Sequence, residues 1–442
     1  MRSEGGSCFR GSMGQLLWKD EPVTSVKPFV IPKRLVWDAY QRVKANRGAA
    51  GVDGQSISDF ERDLSRNLYQ IWNRMSSGSY FPPAVKAVPI PKKSGGERIL
   101  GVPTVGDRIA QTIVTMTLEP ILEPVFHDDS YGYRRGKSAH DALAVTRKRC
   151  WERDWVLEYD IRGLFDHIDH NLLLKALRHH CQDRWVLLSV ERWLTAPMQS
   201  RDGTQESRSV GTPQGGPLSP VLANLFLHYA LDRWLTVHHK DTPFCRYADD
   251  GILHCRSEAE AHYLRERLAA RLSDCGLEMH PTKTRVVYCK DSRRTETHEH
   301  IQFDFLGYTF RPRRTVSRNG RPLLGFTPAV SRQAMTAMRQ SIRRWHLTLR
   351  SELSLEQLAQ VLAPRVRGWI NYYCRFRGSE FQPVADHLDR AIIRWAMRKY
   401  KRLRGRKMRA ISWLAGIKRK QTSMFAHWCG RGAFSVGAMG AR

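Results

Sequence analysis

The sequence predicts an α+β body followed by an α-helical region. Three observations predict it. Short apolar strands alternate with helical stretches as far as about residue 328, one strand pair brackets an acidic turn, and from Ser331 the periodicity is purely helical. The 442 residues suffice for two or three domains with a substantial core, and 41% apolar with 26% charged residues is ordinary for a globular protein.

Residues 1–25 are rich in Gly and Ser, so positions 1–32 read as a lead-in. A helix spans Lys33 to Asn46 and meets a Gly-rich turn, Gly48 to Gly54. Pro82, Pro83, Pro89 and Pro91 with the Lys92–Gly96 run suggest short strands joined by a tight basic loop. Asp107–Leu122 reads as a helix with Ile109, Ile113, Met116 and Leu118 roughly on one face. Trp155–Ile161 is a strand, followed by helices at Asn171–His180 and Pro217–Trp234. Phe244–Tyr247 and Gly251–Cys255 flank Ala248-Asp249-Asp250 as a hairpin. Glu258–Asp274 is amphipathic through Leu264, Leu268 and Leu272, and Phe303–Phe310 is a strand or hairpin. Helical runs follow at Ser331–Ser351, Ser354–Phe376 and Phe381–Leu403, with Ser354 and Gln357 as a capping box. The division is therefore lead-in 1–32, α+β body 33–328, helical domain 329–403 and basic extension 404–442.

The formal net charge is +29, and its placement is informative: residues 311–442 carry 29 Lys+Arg against 5 Asp+Glu, while residues 1–310 carry 43 against 38. A near-neutral body joined to a basic third suggests a catalytic unit beside a polyanion-binding unit. Trp345, Trp369, Tyr372, Tyr373, Phe376, Trp395 and Trp413 interleave with those arginines, a mixture that suits single-stranded or irregular RNA. The nine cysteines are odd in number and contain no Cys-x-x-Cys pair, against a disulfide framework or zinc site. No apolar run approaches the ~20 residues of a membrane helix. No secretory core follows the N-terminus. The expectation is a cytoplasmic protein with no membrane partner.

A strand ending in Asp160 and a hairpin presenting Asp249 and Asp250 can converge acids on one point. Magnesium prefers such hard oxygen ligands. Two ions about 3.5–4 Å apart can activate an attacking hydroxyl and stabilise the leaving oxygen of a phosphoryl displacement. The assignment is Asp160 and Asp249 as bridging ligands of two Mg2+, the Ile161 carbonyl as an extra ligand and Asp250 as the third acid. Asp128-Asp129 stay open as a competing pair, although no apolar strand positions them. Asp166 and Asp169, on a loop entering a helix, read better as caps.

At this point the chain resembles the reverse transcriptase–maturase proteins encoded by bacterial group II introns, over roughly Lys33 to Gly430. The likeness is carried in order by Asn46–Gly48 with Gly51–Gly54, Arg98–Arg108, Ser130–Arg134 with Ser138–His140, Asp160–Asp169, Gly211–Ser219, Arg246–Asp250, Pro281–Thr284 and Phe305–Tyr308. It implies a right-hand polymerase, with fingers and palm followed by a helical thumb and maturase domain. Phe165 matches the ring that blocks a ribose 2′-hydroxyl, and Gln214 the residue contacting the incoming dNTP. Lys92, Lys93 and Arg98 would hold its triphosphate. Lys283 is similar to the lysine that protonates the pyrophosphate leaving group, and Phe305, Leu306, Gly307 and Tyr308 to the primer grip. Beyond Gly325 the likeness is to the thumb and maturase domain, through Arg367–Tyr373 and Phe425–Trp428. Arg365, Arg367, Trp369, Tyr372, Tyr373, Arg375, Arg398 and Lys399 are the candidate RNA contacts.

The implied partners are group II intron RNA, target or primer DNA and dNTPs, with monomer and homodimer both open. Two departures stand out: Arg135 where the family commonly has proline, and Gly251 where a large apolar residue is common and whose absence is expected to loosen the strand. The chain ends soon after His427-Trp428 with no Cys-pair or His-rich nuclease module, so no target-strand cleavage is expected. The rival readings are a non-enzymatic splicing factor and a reverse transcriptase of another class, such as a defence, retron or diversity-generating type.

Overall fold

The computed structural model describes residues 27–91, 96–316 and 319–428. The predicted lead-in to residue 26, the Lys92-Lys93 pair and positions beyond 428 lie outside the described residues. The strands, in chain order, are β1 (Val85–Pro91), β2 (Glu97–Val102), β3 (Trp155–Asp160), β4 (Met198–Gln199), β5 (Gln205–Glu206), β6 (Phe244–Tyr247), β7 (Asp250–Cys255), β8 (Arg285–Tyr288), β9 (Phe303–Phe305), β10 (Tyr308–Val316) and β11 (Pro322–Val330). The chain folds as two compact units, one of residues up to 135, 161–240 and 267–280, the other of 136–160, 241–266 and 281 onward.

The first unit is mainly helical, with a sheet ordered β2-β1-β4-β5. Its central helix, Val105–Leu122, starts where the Thr104 hydroxyl accepts from the Asp107 amide, the cap that satisfies an otherwise orphaned donor. The predicted single apolar face is an understatement. Val105, Ile109, Ala110, Ile113, Val114 and Leu118 are all fully buried, so neighbours cover the helix on most sides. The predicted Pro217–Trp234 helix breaks into Ser219–Leu227, a π-helical turn at His228–Asp232 and Arg233–His238. Helices Ile57–Glu61, Leu64–Ser76 and Arg184–Thr195 were not anticipated. Leu64–Ser76 was legible in principle, since its buried Leu68, Ile71 and Met75 fall at helical spacing.

In the second unit the sheet order is β6-β7-β3-β8, with β3 pairing antiparallel to both β7 and β8. The unanticipated helix Ala139–Glu152, opened by a Ser138–Asp141 capping box, packs on β6, β7 and β11. A second sheet, β11-β10-β9, is dominated by the long β10–β11 hairpin. β11 was hidden in the sequence by Pro322 at its start and Pro328 within it, residues depleted from strands. Helices Arg332–Arg344, Leu355–Tyr373, Gln382–Lys399 and Lys407–Lys420 then enclose a core that includes Leu358, Leu388, Ile392 and Trp395. The Ser354–Gln357 capping box is present. Trp395 is fully buried and donates to the Arg350 carbonyl, and Trp345 stacks on Trp369 at 5.4 Å, so part of the predicted aromatic stacking surface is core. Asp389 binds Lys418, His427 and the Trp428 indole, tying the last described residues to this bundle. Among the described residues no helix is long and apolar enough to cross a membrane, and Cys150, Cys181, Cys245, Cys255, Cys275, Cys289 and Cys374 are free thiols.

Candidate active site

The three predicted acids meet because of strand register. Asp160, at the end of β3, lies opposite Asp250, the first residue of β7, and Tyr247 pairs with Asp250 across a two-residue turn of Ala248 and Asp249. Ala248 takes φ 58°, the positive φ at the first turn position that a II′ hairpin ordinarily gives to glycine. Its carbonyl is held at 3.1 Å by the guanidinium of Arg246, a side chain with no solvent exposure. Arg246 was quoted in the motif but given no role, since nothing in the sequence marks it as buried.

Three carboxylates in one partly buried place disfavour ionisation. Burial, then the charges of Asp249 and Asp160 and a hydrogen bond with Asp160, push the Asp250 carboxyl up to about 7. Burial raises Asp249 too, with Asp160 adding to the effect and Lys283 and Arg246 opposing it. The Lys283 ammonium donates to Asp160 Oδ2 at 2.7 Å. Burial alone would lower the Lys283 pKa, but that bond and the three acids outweigh it and raise it. The site is thus short of cations. Among the described residues no three His, Cys, Asp or Glu side chains close on one point tightly enough to ligate an ion as they stand. The donor set nevertheless fits a hard divalent cation, because extra positive charge is what these carboxylates lack.

A cavity of about 310 Å³ opens beside the acids, lined among others by Glu158, Asp160, Asp250, Lys283, Asp304 and Phe305. Phe305 begins the predicted grip. Leu306 (φ 51°) and Gly307 (φ 77°) form the β9–β10 turn, the doubly positive pattern of a I′ hairpin. Glu158, with Arg285 at 3.0 Å, was missed. Its signal was present, since residues two apart on β3 share a face. Burial, only partly offset by Arg285, pushes Glu158 up to about 7.

In the first unit, Phe165 is half-buried and meets the Tyr133 ring edge-on at 6.4 Å. The Thr212 amide donates to the Phe165 carbonyl at 2.7 Å, and the Gly101 amide to the Gln214 carbonyl at 2.7 Å. Phe165, the Gln214 loop and exposed Arg98 on β2 are therefore knitted together. A Cβ on Gly215 would fall 2.6 Å from the Gly101 carbonyl oxygen, so the loop needs glycine there. Ile161 is buried and bridges Met279. Of the competing acids, Asp169 caps the following helix by accepting the Leu172 amide, as expected, and Asp129 lies in a turn where its amide donates to His127 Nδ1.

Residues 90–310 match the family model for reverse transcriptase (RNA-dependent DNA polymerase). The chain belongs to the reverse transcriptase family. Residues 335–413 also match the group II intron maturase-specific domain. It is 33% identical to the group II intron-encoded protein LtrA of Lactococcus lactis over 219 residues, 49% of this chain and 36% of LtrA. With protein YkfC of Escherichia coli it shares 31% identity over 279 residues, 54% of this chain and 73% of YkfC. The chain thus spans little more than a third of LtrA's length.

The Gly251 departure has a structural explanation. Gly251 pairs with Tyr159, and a Cβ on it would lie 2.1 Å from the Tyr159 ring. The tyrosine ring, 1% exposed, occupies the space a larger side chain would take. Arg135 pairs with Glu119 at 2.9 Å. In the maturase-matched segment Arg365, Arg367, Arg375 and Arg398 are exposed, whereas Lys399 donates to the Ser351 and Leu353 carbonyls. Trp369 stacks on Trp345, and Tyr372 and Tyr373 support the Leu306–Gly307 turn.

Proposed function

We propose that the chain is an RNA-directed DNA polymerase of a group II intron, copying intron RNA into DNA during retrohoming and binding that RNA to assist splicing. The observation that carries this is the Asp160–Asp250 register, with Asp249 in the adjoining turn and Phe305 on the wall of the same cavity. In this reading the β6-β7-β3-β8 sheet is the palm and the helices from Arg332 are the thumb and maturase domain. Asp160 and Asp249 would bridge two Mg2+, with Asp250 as third acid and the Ile161 carbonyl beside Asp160. When bound, such ions lower the pKa of the attacking 3′-hydroxyl and stabilise the leaving oxygen. Lys283, kept as an ammonium by its acidic neighbours, carries a proton suited to the departing pyrophosphate. Phe305 to Tyr308 would place the primer end. The roles of Lys92, Lys93, Arg98, Phe165 and Gln214 toward the dNTP rest on motif order, and those of the exposed arginines toward intron RNA on charge.

The test is primer extension on poly(rA)/oligo(dT) with magnesium. Asp249→Ala and Asp250→Ala should each lower the rate about 1,000-fold, the scale of several kcal/mol of transition-state stabilisation. Extension that survives both substitutions rejects the site.

A further inference from the structure

A groove of about 1300 Å³ opens in the second unit between helix Ala139–Glu152, the Asp291–Arg293 loop, the β10–β11 hairpin and the turn at Phe376–Ser379. It shares no residue with the acid cavity. Small-molecule pockets run to roughly 300–1,000 Å³, so this one suits an extended ligand better.

Its charge is unbalanced. Arg147, Arg293, Arg314 and Arg377 line it. The lining acids are already engaged: Asp291 by the Arg294 guanidinium and by the Arg293 and Arg294 amides, Asp386 by Gln382. Arg377 shares the single carboxylate of Glu380 with Arg311 and Arg313. Among the described residues the guanidiniums of Arg147, Arg293 and Arg314 have no acidic partner, and that of Arg293 donates to the Trp151 carbonyl at 3.4 Å. Arg147 is partly desolvated without a counter-charge. Its guanidinium lies 4.9 Å from the Trp151 ring centroid and 5.4 Å from that of Phe376, and its Nε has no hydrogen-bond partner. Burying a cation this way is costly unless an anion arrives. Trp151 is pinned through Nε1 to the Phe326 carbonyl at 2.8 Å yet stays 41% exposed, a rigid aromatic face at the rim.

We propose that this groove binds a single nucleic-acid strand, intron RNA in the reading above, with Arg147, Arg293 and Arg314 taking phosphates and the Trp151 ring stacking a base. Unpaired guanidiniums beside a fixed, half-exposed indole are the two components of single-strand recognition. An acidic protein segment would use the arginines and leave the indole idle. The site rests on the RNA-binding part of the proposed function and not on catalysis.

The experiment uses the full chain and labelled oligoribonucleotides of about 20 nucleotides, with a DNA strand of the same sequence as a second arm. The Arg293→Glu/Arg314→Glu double variant changes two exposed side chains. It should weaken RNA binding at least tenfold and flatten the log affinity–log salt slope by about 1.4, two phosphate contacts on a single strand. Trp151→Ala should weaken it about five- to tenfold, as expected for one lost base stack. Equal losses in the DNA arm assign the groove to any single strand, and losses confined to RNA assign it to RNA. On the unmodified chain, 4-thiouridine RNA should crosslink to peptides containing Trp151 or Arg293. Unchanged affinity and slope, or crosslinks only elsewhere, overturn the proposal, and an acidic protein occupant predicts that outcome. Extension of a saturating, pre-annealed template–primer should stay within twofold in the variants. Should the unmodified chain extend no primer, the polymerase reading fails while the binding arms still decide the groove.

Discussion

Two tight turns in the second unit carry the candidate chemistry, and they are held in different ways. Each puts a residue other than glycine at positive φ, Ala248 at 58° and Leu306 at 51°. Such conformations cost on the order of 1–2 kcal/mol and persist only where the surroundings impose them. The acid turn is fixed from inside its own hairpin, by Arg246 reaching the Ala248 carbonyl. The grip turn is fixed from outside. Tyr372 donates to the Leu306 carbonyl at 2.9 Å from 66 residues away, the Ser331 amide to the Gly307 carbonyl at 3.0 Å, and the Tyr373 hydroxyl would stand 3.2 Å from a Cβ on Gly307. The difference teaches that the Asp249–Asp250 turn is held within its own hairpin, with Asp160 joining it through the β3–β7 register, whereas the Leu306–Gly307 turn depends on the helix Leu355–Tyr373. Damage to the helical region should therefore disturb primer placement before it disturbs the acids.

The sharpest way to break this comparison is a pair of substitutions, one per turn. Arg246→Leu removes a buried guanidinium, leaves the Ala248 carbonyl without that donor and takes a cation away from Asp249. A loss of about 1–3 kcal/mol is expected for leaving a buried carbonyl without its donor, and the cation withdrawn from Asp249 should lower the extension rate at least tenfold. Tyr372→Phe deletes one hydrogen bond worth about 1 kcal/mol. Its cost should appear as a several-fold higher KM for primer–template with kcat within twofold. Steady-state extension at varied primer–template concentration reads both. If Tyr372→Phe lowers kcat as deeply as Arg246→Leu, the two turns are not independent.

The same contrast explains what could be read in advance. The acid hairpin was legible because its information is contiguous: Phe244–Tyr247, the acids and Ile252–Cys255 lie within a dozen residues, with apolar strands on either side. The grip motif was legible as a motif, but its support was not. Nothing local tells that Tyr372 and Tyr373 reach back to Leu306 and Gly307, and the pair looked like a stacking surface instead. Trp395 went the same way, since an aromatic among arginines has the same spacing whether it faces solvent or core. Capping boxes at Ser138 and Ser354 are equally local, but only the second preceded a clear apolar period, and only that helix was anticipated.

A smaller effect tests whether the acid hairpin is also locally packed. Gly251→Ala places a methyl group inside the Tyr159 ring, whose Cζ would lie 2.1 Å away, and β7 is too enclosed to yield freely. Overpacking of this kind costs about 1–3 kcal/mol. Tyr159→Phe keeps the ring and should not relieve it, while Tyr159→Leu should recover part of the loss, giving a favourable coupling term in a double-mutant cycle. Additive losses in chemical denaturation would show that ring and glycine do not share one space.

The smallest expected effect is the share of the pH dependence that the acid turn contributes. The Asp250 carboxyl is raised from 3.8 to about 7, chiefly by burial and then by Asp249 and Asp160. Between those values the folded chain holds a proton that the unfolded chain has released. Stability then falls as pH rises through that window and levels off above it. Glu158, raised to about 7, and Asp107, raised to about 6 by burial, act in the same sense, so in the absence of divalent ions these carboxyls take thermal stability away from about pH 5 to 8, against a gain up to about pH 6.5 from His254, which burial lowers to about 3. Asp250→Asn removes one titration and keeps the shape, so its melting temperature should fall by about 3–6 °C less over that range. Tyr372→Phe touches no group that titrates there, and its loss should match that of the unmodified chain. Adding magnesium at pH 8 should restore part of the lost stability where Asp250 is present and less where it is asparagine, because the cation stabilises the ionised carboxylates that burial disfavours. A slope unaltered by Asp250→Asn would place the proton elsewhere in the acid cluster, and with it the charge deficit assigned here to the hairpin.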